Sequence, residues 1–96
     1  MTIQELQEWV KQDWEQNSKI KPDLATQLLF AIEEFGEVAE AIRKKTVNDD
    51  YKQDDNKLGS EFADLLIRIT TLANTFSIDL TKEVQGFQAK LASRRG

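Results

Sequence analysis

The sequence predicts an all-α protein resembling a four-helix bundle, in which two long helices are central. Apolar residues recur at spacings of three and four along most of the chain, and no segment alternates apolar and polar residues as a half-buried strand does. The 96 residues are enough for a single domain, 1–96. A chain of this length buries only about two thirds of the surface that its unfolded form exposes, so a lone monomer is expected to be marginally stable.

Capping signals place the first two helices. Thr2 and Glu5 have the spacing of a capping box, which predicts a first helix over 3–16. A turn is expected over 17–22, ending at the only proline of the chain. Asp23 follows as the expected N-cap of a second helix that reaches about residue 44, where basic side chains suit the helix dipole.

The second half of the chain predicts two more helices after a polar connection. Residues 46–57 are almost wholly polar, which indicates an exposed connection that can close over a ligand. A third helix is expected over 58–76, and a fourth begins near Asp79.

The composition restricts the chemistry available to a functional site. The chain has no cysteine and no histidine, which excludes disulfides, thiolate metal ligands and imidazole ligands or bases. A bound metal must therefore be held by oxygen atoms, which favours Mg²⁺, Mn²⁺ or Ca²⁺ over zinc or copper.

The charge pattern also restricts the partners. Thirteen basic and 17 acidic residues give a net charge of −4, and the chain has no basic stripe, which argues against a nucleic-acid polymer as a partner. The N-terminal residues do not have the pattern of a signal peptide, and no apolar run approaches the ~20 residues of a membrane span. We therefore expect a cytoplasmic protein without a membrane partner.

Four acidic residues form two pairs at i, i+3 spacing inside apolar helical segments: Glu34 with Glu37, and Glu61 with Asp64. Each pair shares one side of its helix, and antiparallel packing of the two helices would make the pairs face each other. Four ionised carboxylates in one place repel strongly, and a divalent cation relieves that repulsion. Because Mg²⁺ retains waters and binds phosphate oxygens, a nucleoside di- or triphosphate is the expected partner.

A simpler interpretation is that these acids belong to a solvated surface or to i, i+4 ion pairs, as Glu40 and Lys44 do by their spacing. On a helical wheel, Phe30 and Ala41 lie between the first two acids. The wheel predicts a different arc as the buried side of the second helix. Its members are Leu28, Ile32, Phe35, Ala39 and Ile42.

Three further side chains each have two interpretations. Arg68 lies about one turn beyond the second acidic pair, where it either neutralises Glu61 and Asp64 or contacts a phosphate group. Trp9 and Trp14 are either anchors of the core or platforms on which a base stacks.

The acidic segments resemble a known family. Residues 33–37 (EEFGE) and 61–64 (EFAD) match its pattern of Glu-Glu-x-x-Glu, a spacer, and Glu-x-x-Asp. The chain resembles the MazG-like nucleotide pyrophosphohydrolases of the all-α NTP pyrophosphatase superfamily from about residue 5 to 94. Residues 13–16 (DWEQ) are similar to the dCTP pyrophosphatase branch of that superfamily.

This resemblance implies a Mg²⁺ site, with Mn²⁺ as an alternative ion. The metal ligands that it implies are Glu34, Glu37, Glu61 and Asp64. Glu33 and Glu34 are then the candidates for catalytic carboxylates that activate water. The implied reaction cleaves a nucleoside triphosphate between its α and β phosphates, giving a nucleoside monophosphate and pyrophosphate.

The resemblance also implies substrate contacts and an assembly. Trp14 is expected to contact the base, and Arg68 a phosphate. Relatives often have a lysine and an asparagine in the last helix that bind phosphates, where this chain has Phe87 and Leu91. Two nearby cations are the candidates to replace them, namely Lys90 and Arg94. A homodimer or homotetramer with the nucleotide between subunits is expected.

Other functions fit the same sequence. Within the superfamily, a phosphoribosyl-ATP pyrophosphohydrolase or a dUTPase-like enzyme uses similar carboxylates. From a different class, the chain could be a non-catalytic helical regulator whose acidic strip binds a basic protein surface. The leading hypothesis is an enzyme that removes unwanted nucleotides from the cellular pool, with dCTP-like substrates favoured.

Overall fold

The computed structural model describes residues 1–17, 21–47 and 55–96, which form four helices and no strand. The helices are α1 (Ile3–Asn17), α2 (Leu24–Val47), α3 (Asp55–Thr75) and α4 (Leu80–Arg95). The predicted all-α class is confirmed, and α2 and α3 are the two longest helices. Both extend into the predicted polar connection. The rest of that connection, 48–54, and the centre of the predicted turn, 18–20, lie outside the described residues.

Three helices begin where the sequence predicted, at side chains that accept hydrogen bonds from free backbone N–H groups. The backbone N–H of Thr2 donates to Glu5 at 2.9 Å, and the N–H of Glu5 donates to the Thr2 hydroxyl at 3.0 Å, so the capping box is formed. Asp23 accepts from the N–H of Thr26 at 2.8 Å, and Asp79 caps α4. These short-range signals are enough to fix three of the four helix starts.

The third helix is the centre of the fold, and both α1 and α2 pack on it. The Thr75 hydroxyl near the end of α3 donates to Gln27 near the start of α2, at 2.9 Å. The two helices are therefore antiparallel. The same holds for α1, because Asn74 contacts the first half of that helix. Among the residues whose burial the structure describes, five are almost inaccessible to solvent: Val10, Gln27, Val38, Thr70 and Ala73.

The fourth helix contacts α1 at its beginning and buries none of its residues. Phe87 in its middle is 62% exposed. The radius of gyration is 16.3 Å, against about 12.5 Å for a compact domain of this length. The described chain is thus a three-helix core with a projecting helix. Among its described residues, no helix has the combination of length and apolar character needed to cross a membrane.

The wheel-based prediction of the buried side of α2 was wrong. Leu28, Ile32 and Phe35 are 52%, 60% and 63% exposed, and Ala39 and Ile42 are also exposed. The side that faces α3 instead contains Glu34 and the buried Val38. The reason is that α2 has apolar residues around much of its circumference, and a single neighbouring helix covers only one side.

Gln7 holds the junction of α1, α3 and α4 together. Its side-chain amide donates to Asn74 at 3.0 Å and to the Ile78 carbonyl at 2.8 Å, and it accepts from the N–H of Leu80 at 3.0 Å. The Asn74 amide donates in return to the Gln7 carbonyl at 3.0 Å. One side chain therefore satisfies groups from the end of α3 and from the start of α4.

Replacing Gln7 with Ala should lower the free energy of unfolding by about 1–2 kcal/mol, because partly buried groups lose their partners. Urea denaturation measures this. Gln4→Ala is the matched control, since the Gln4 amide has one exposed contact, to Glu8 at 3.4 Å. We expect that control to change stability by less than about 0.5 kcal/mol. Equal effects of the two substitutions would contradict the assigned role.

Candidate metal centre

Three acidic residues from two helices converge at the interface of α2 and α3. Glu34 of α2 and Glu61 and Asp64 of α3 each place a carboxylate oxygen within 4.8 Å of the others. The i, i+3 spacing puts Glu61 and Asp64 on one side of α3, and the antiparallel packing brings Glu34 opposite them. The structure therefore brings together three of the four acids that the sequence singled out as ligands.

The fourth predicted ligand, Glu37, is exposed and is not among the three acids whose oxygens converge. A hydrogen bond to its carboxylate is the largest cause that raises the pKa of Glu61, followed by burial and the charges of nearby acids. The same residue raises the pKa of Glu34 through its charge and a hydrogen bond. Glu37 is thus electrostatically part of the cluster.

The pKa of Glu34 is raised above its ordinary value chiefly by burial, with further contributions from Glu37 and Asp64. The positive charge of Arg68 acts in the opposite direction. Desolvation and like charges both disfavour the ionised form of a carboxyl group. The isolated cluster is therefore a place where negative charge is poorly compensated.

Two oxygens of the cluster are buried and have no hydrogen-bond partner among the described residues: Oε2 of Glu34 and Oε2 of Glu61. Buried oxygens of this kind are rare, because each loses its hydration without replacement. A set of oxygen ligands with excess negative charge suits a hard divalent cation such as Mg²⁺ or Mn²⁺. These residues fit the metal ion that the sequence predicted.

Arg68 does not form the neutralising ion pair with Glu61 or Asp64 that one interpretation predicted. In the part of the chain that the structure describes, the ion pairs within 4.0 Å join Glu40 to Arg43 and to Lys44. The guanidinium carbon of Arg68 instead lies 4.8 Å from the centre of the Phe30 ring. This distance is that of a cation–π contact.

An aromatic cavity of about 300 Å³ contains Arg68 in its wall. Six of its lining residues are Trp9, Trp14, Phe30, Ile67, Arg68 and Thr71. Its volume is at the lower end of the range for small-molecule sites, about 300–1,000 Å³. Trp9 is 51% exposed and Trp14 is half-buried, so neither ring is an anchor of the core.

Trp14 also lines a second cavity of about 340 Å³, together with Lys11 and Lys21. None of the three clustered acids is among the described residues that line it. None of these acids is among the described residues that line the first cavity either, but the positive charge of its Arg68 partly opposes the rise in the pKa of Glu34 that burial causes.

Three predicted residues lie apart from this arrangement. Glu33 is exposed on α2 and is not among the three acids that converge. Lys90 and Arg94 are exposed on α4, which packs mainly against α1. Sequence reasoning gave no role to Phe30, although the wheel had placed it between the acids. Its contact with Arg68 depends on how α2 and α3 pack.

The sequence matches the MazG nucleotide pyrophosphohydrolase domain over residues 22–96. The chain belongs to the MazG family. The matched MazG region contains α2, α3 and α4, and with them the whole acidic cluster, whereas Trp14 on α1 lies outside it. No curated protein and no solved structure matched the chain. Membership of the MazG family indicates a nucleotide pyrophosphohydrolase, and MazG enzymes are generally dependent on divalent metal ions.

Proposed function

We propose that this protein is a Mg²⁺-dependent hydrolase that converts (deoxy)nucleoside triphosphates into nucleoside monophosphates and pyrophosphate. One observation carries the proposal: the oxygens of Glu34, Glu61 and Asp64 lie within 4.8 Å of one another. Two buried carboxylate oxygens that have no hydrogen-bond partner among the described residues support it, because they leave a place for a cation.

Glu34, Glu61 and Asp64 would hold the ion, with Glu37 beside them as the fourth ligand. Mg²⁺ is favoured and Mn²⁺ is an alternative, since both prefer carboxylate oxygens. When bound, such an ion supplies charge stabilisation for the phosphate oxygens and lowers the pKa of bound water.

The reaction adds one water to the α phosphorus and breaks its bond to the oxygen that bridges to the β phosphate. The pyrophosphate leaves with that bridging oxygen. A carboxylate accepts the proton of the water, and Glu34 or Glu33 has this role. Glu34 is inside the cluster, whereas Glu33 reaches the reacting water only from the exposed side of α2.

The aromatic cavity is proposed to hold the nucleoside, with Trp14 against the base and Arg68 near the phosphate chain. Stacking on an aromatic ring is a common way to bind a base without strong selectivity among the bases. The resemblance of residues 13–16 supports dCTP-like substrates, and membership of the MazG family supports a role in cleaning the nucleotide pool. Lys90 and Arg94 would contribute phosphate contacts only from α4 of a neighbouring subunit or after movement of α4.

We further propose that the chain is a single domain that works as a homodimer or homotetramer. The exposed apolar arc of α2 supports this, since Leu28, Ile32 and Phe35 are each more than half exposed. Contiguous apolar surface on a small protein commonly marks an interface.

The direct test is pyrophosphate release from a panel of common and oxidised (deoxy)nucleoside triphosphates, each with Mg²⁺ and with chelator. We expect metal-dependent release from a subset of the panel. Release that persists in chelator would overturn the proposed metal role. No release from this panel while Mg²⁺ still binds would point to phosphoribosyl-ATP or another nucleotide, and no release without Mg²⁺ binding would favour the non-catalytic regulator.

A further inference from the structure

Arg68 is a cation beside an acidic cluster, yet it has no carboxylate partner among the residues that the structure describes. It follows Asp64 by four residues on α3, a spacing at which oppositely charged side chains commonly meet. Across the helix interface, its positive charge partly opposes the rise in the pKa of Glu34 that burial causes. Among the described residues, however, no carboxylate oxygen lies within 4.0 Å of its guanidinium group.

The aromatic ring of Phe30 accounts for this position. The Arg68 guanidinium carbon is 4.8 Å from the ring centre, so the planar cation lies over the face of the ring. Phe30 is half-buried on the side of α2 that faces α3, and both residues line the aromatic cavity. A ring attracts a guanidinium group less strongly than a carboxylate does, but it leaves the N–H donors at its edge unused.

We propose that Phe30 is a positioning residue that holds the Arg68 guanidinium away from the acidic cluster and at the wall of the aromatic cavity. The cluster is thereby kept free for a divalent cation, and the arginine is kept free for the phosphate chain of the substrate. This inference rests on the proposed function and adds to it a cause for the metal affinity of the cluster.

The position that Arg68 would otherwise adopt explains why its contact with Phe30 is needed. Without the ring, Arg68 can form bidentate contacts with Asp64 or Glu34. A guanidinium group in the cluster would compensate the same negative charge that a metal ion compensates. Metal binding would then have to displace an ion pair, and one phosphate contact would be lost.

The test measures Mn²⁺ binding by electron paramagnetic resonance on the full chain without nucleotide. Phe30→Leu should weaken Mn²⁺ binding about 3- to 30-fold, the range that corresponds to cation–π contacts of intermediate burial. Phe30→Tyr, which keeps the ring, should stay within about twofold of the parent protein. In nucleotide hydrolysis, Phe30→Leu should raise KM more than it lowers kcat.

A double-mutant comparison separates positioning from general packing. In an Arg68→Met background, Phe30→Leu should no longer weaken Mn²⁺ binding, because the competing guanidinium group is gone. Phe76→Leu is the matched control. Phe76 is 58% exposed and is not among the residues that line the aromatic cavity, so its replacement should leave Mn²⁺ binding unchanged.

Each result decides the proposal. It is overturned if Phe30→Leu binds Mn²⁺ as tightly as the parent, or if the loss is equally large in the Arg68→Met background. Should Phe30→Leu fail to fold, Phe30→Met has the same expected results and replaces it. If the parent protein hydrolyses nucleotides and Phe30→Leu binds Mn²⁺ as tightly as the parent does, only the positioning role is overturned. A parent protein with neither Mn²⁺ binding nor hydrolysis sinks the proposed function as well.

Discussion

Glu61→Gln should reduce the rate of pyrophosphate release at least about 100-fold while the protein remains folded. The substitution keeps the shape of the side chain but removes the charge from a residue whose carboxylate oxygen converges with those of Glu34 and Asp64. Asp64→Asn should have a similar effect for the same reason. Initial rates at saturating Mg²⁺ and nucleotide measure the loss, and circular dichroism verifies the helical content.

Glu40→Gln provides the matched control on α2. Glu40 is exposed and paired with Arg43 at 2.8 Å, outside the acidic cluster, so its replacement should leave the rate within about twofold. A folded Glu61→Gln, Asp64→Asn double variant that retains its rate would show that the cluster is not the reaction centre.

Glu33→Gln separates the two candidate bases. If Glu33 accepts the proton of the water, its replacement lowers kcat and leaves Mn²⁺ binding unchanged, since it lies outside the convergent acids. An unchanged kcat would assign the proton to Glu34.

The second large effect is stabilisation by the metal ion. At a Mg²⁺ concentration about 100 times its Kd, the free energy of unfolding should rise by about 2.7 kcal/mol. For a chain of this length, this corresponds to a rise in Tm of roughly 10–20 °C. Differential scanning fluorimetry with and without chelator measures the shift. Glu34→Gln should abolish most of it, because that variant loses a buried, charged ligand oxygen.

The sign of the pH dependence follows from the raised pKa values of Glu34 and Glu61. A carboxyl group whose pKa is higher in the folded state stabilises the fold when protonated, and that stabilisation is lost as the pH rises through the folded-state pKa. Without metal, the protein should therefore lose this contribution as the pH rises above 4.5 and through the raised folded-state pKa values of the two groups. With Mg²⁺, the loss should be offset, since metal binding strengthens as the ligands deprotonate.

A Tm shift with Mg²⁺ that grows from pH 5 to pH 8 is the expected result. A shift that is independent of pH, or one that survives in Glu34→Gln, would place the ion elsewhere on the protein.

The sequence was sufficient for the starts of three helices and for limiting any metal ligands to oxygen atoms. The capping side chains of Thr2, Asp23 and Asp79 lie within a few residues of the N–H groups that they satisfy, so neighbours in the sequence contain the whole signal. The oxygen-only ligand set follows from the absence of cysteine and histidine. The convergence of Glu34 with Glu61 followed from their spacing, once antiparallel packing was assumed.

Tertiary structure alone decided which side of α2 is buried and what Arg68 contacts. The wheel indicated the arc with the most apolar residues, yet α2 packs on α3 through the side that contains Glu34 and Val38. Periodicity shows that a helix is apolar around much of its surface, but the shape and charge of the neighbouring helix determine which side of it becomes buried. The contact between the Phe30 ring and Arg68 was also decided by tertiary structure, because two residues 38 positions apart meet only when their helices pack.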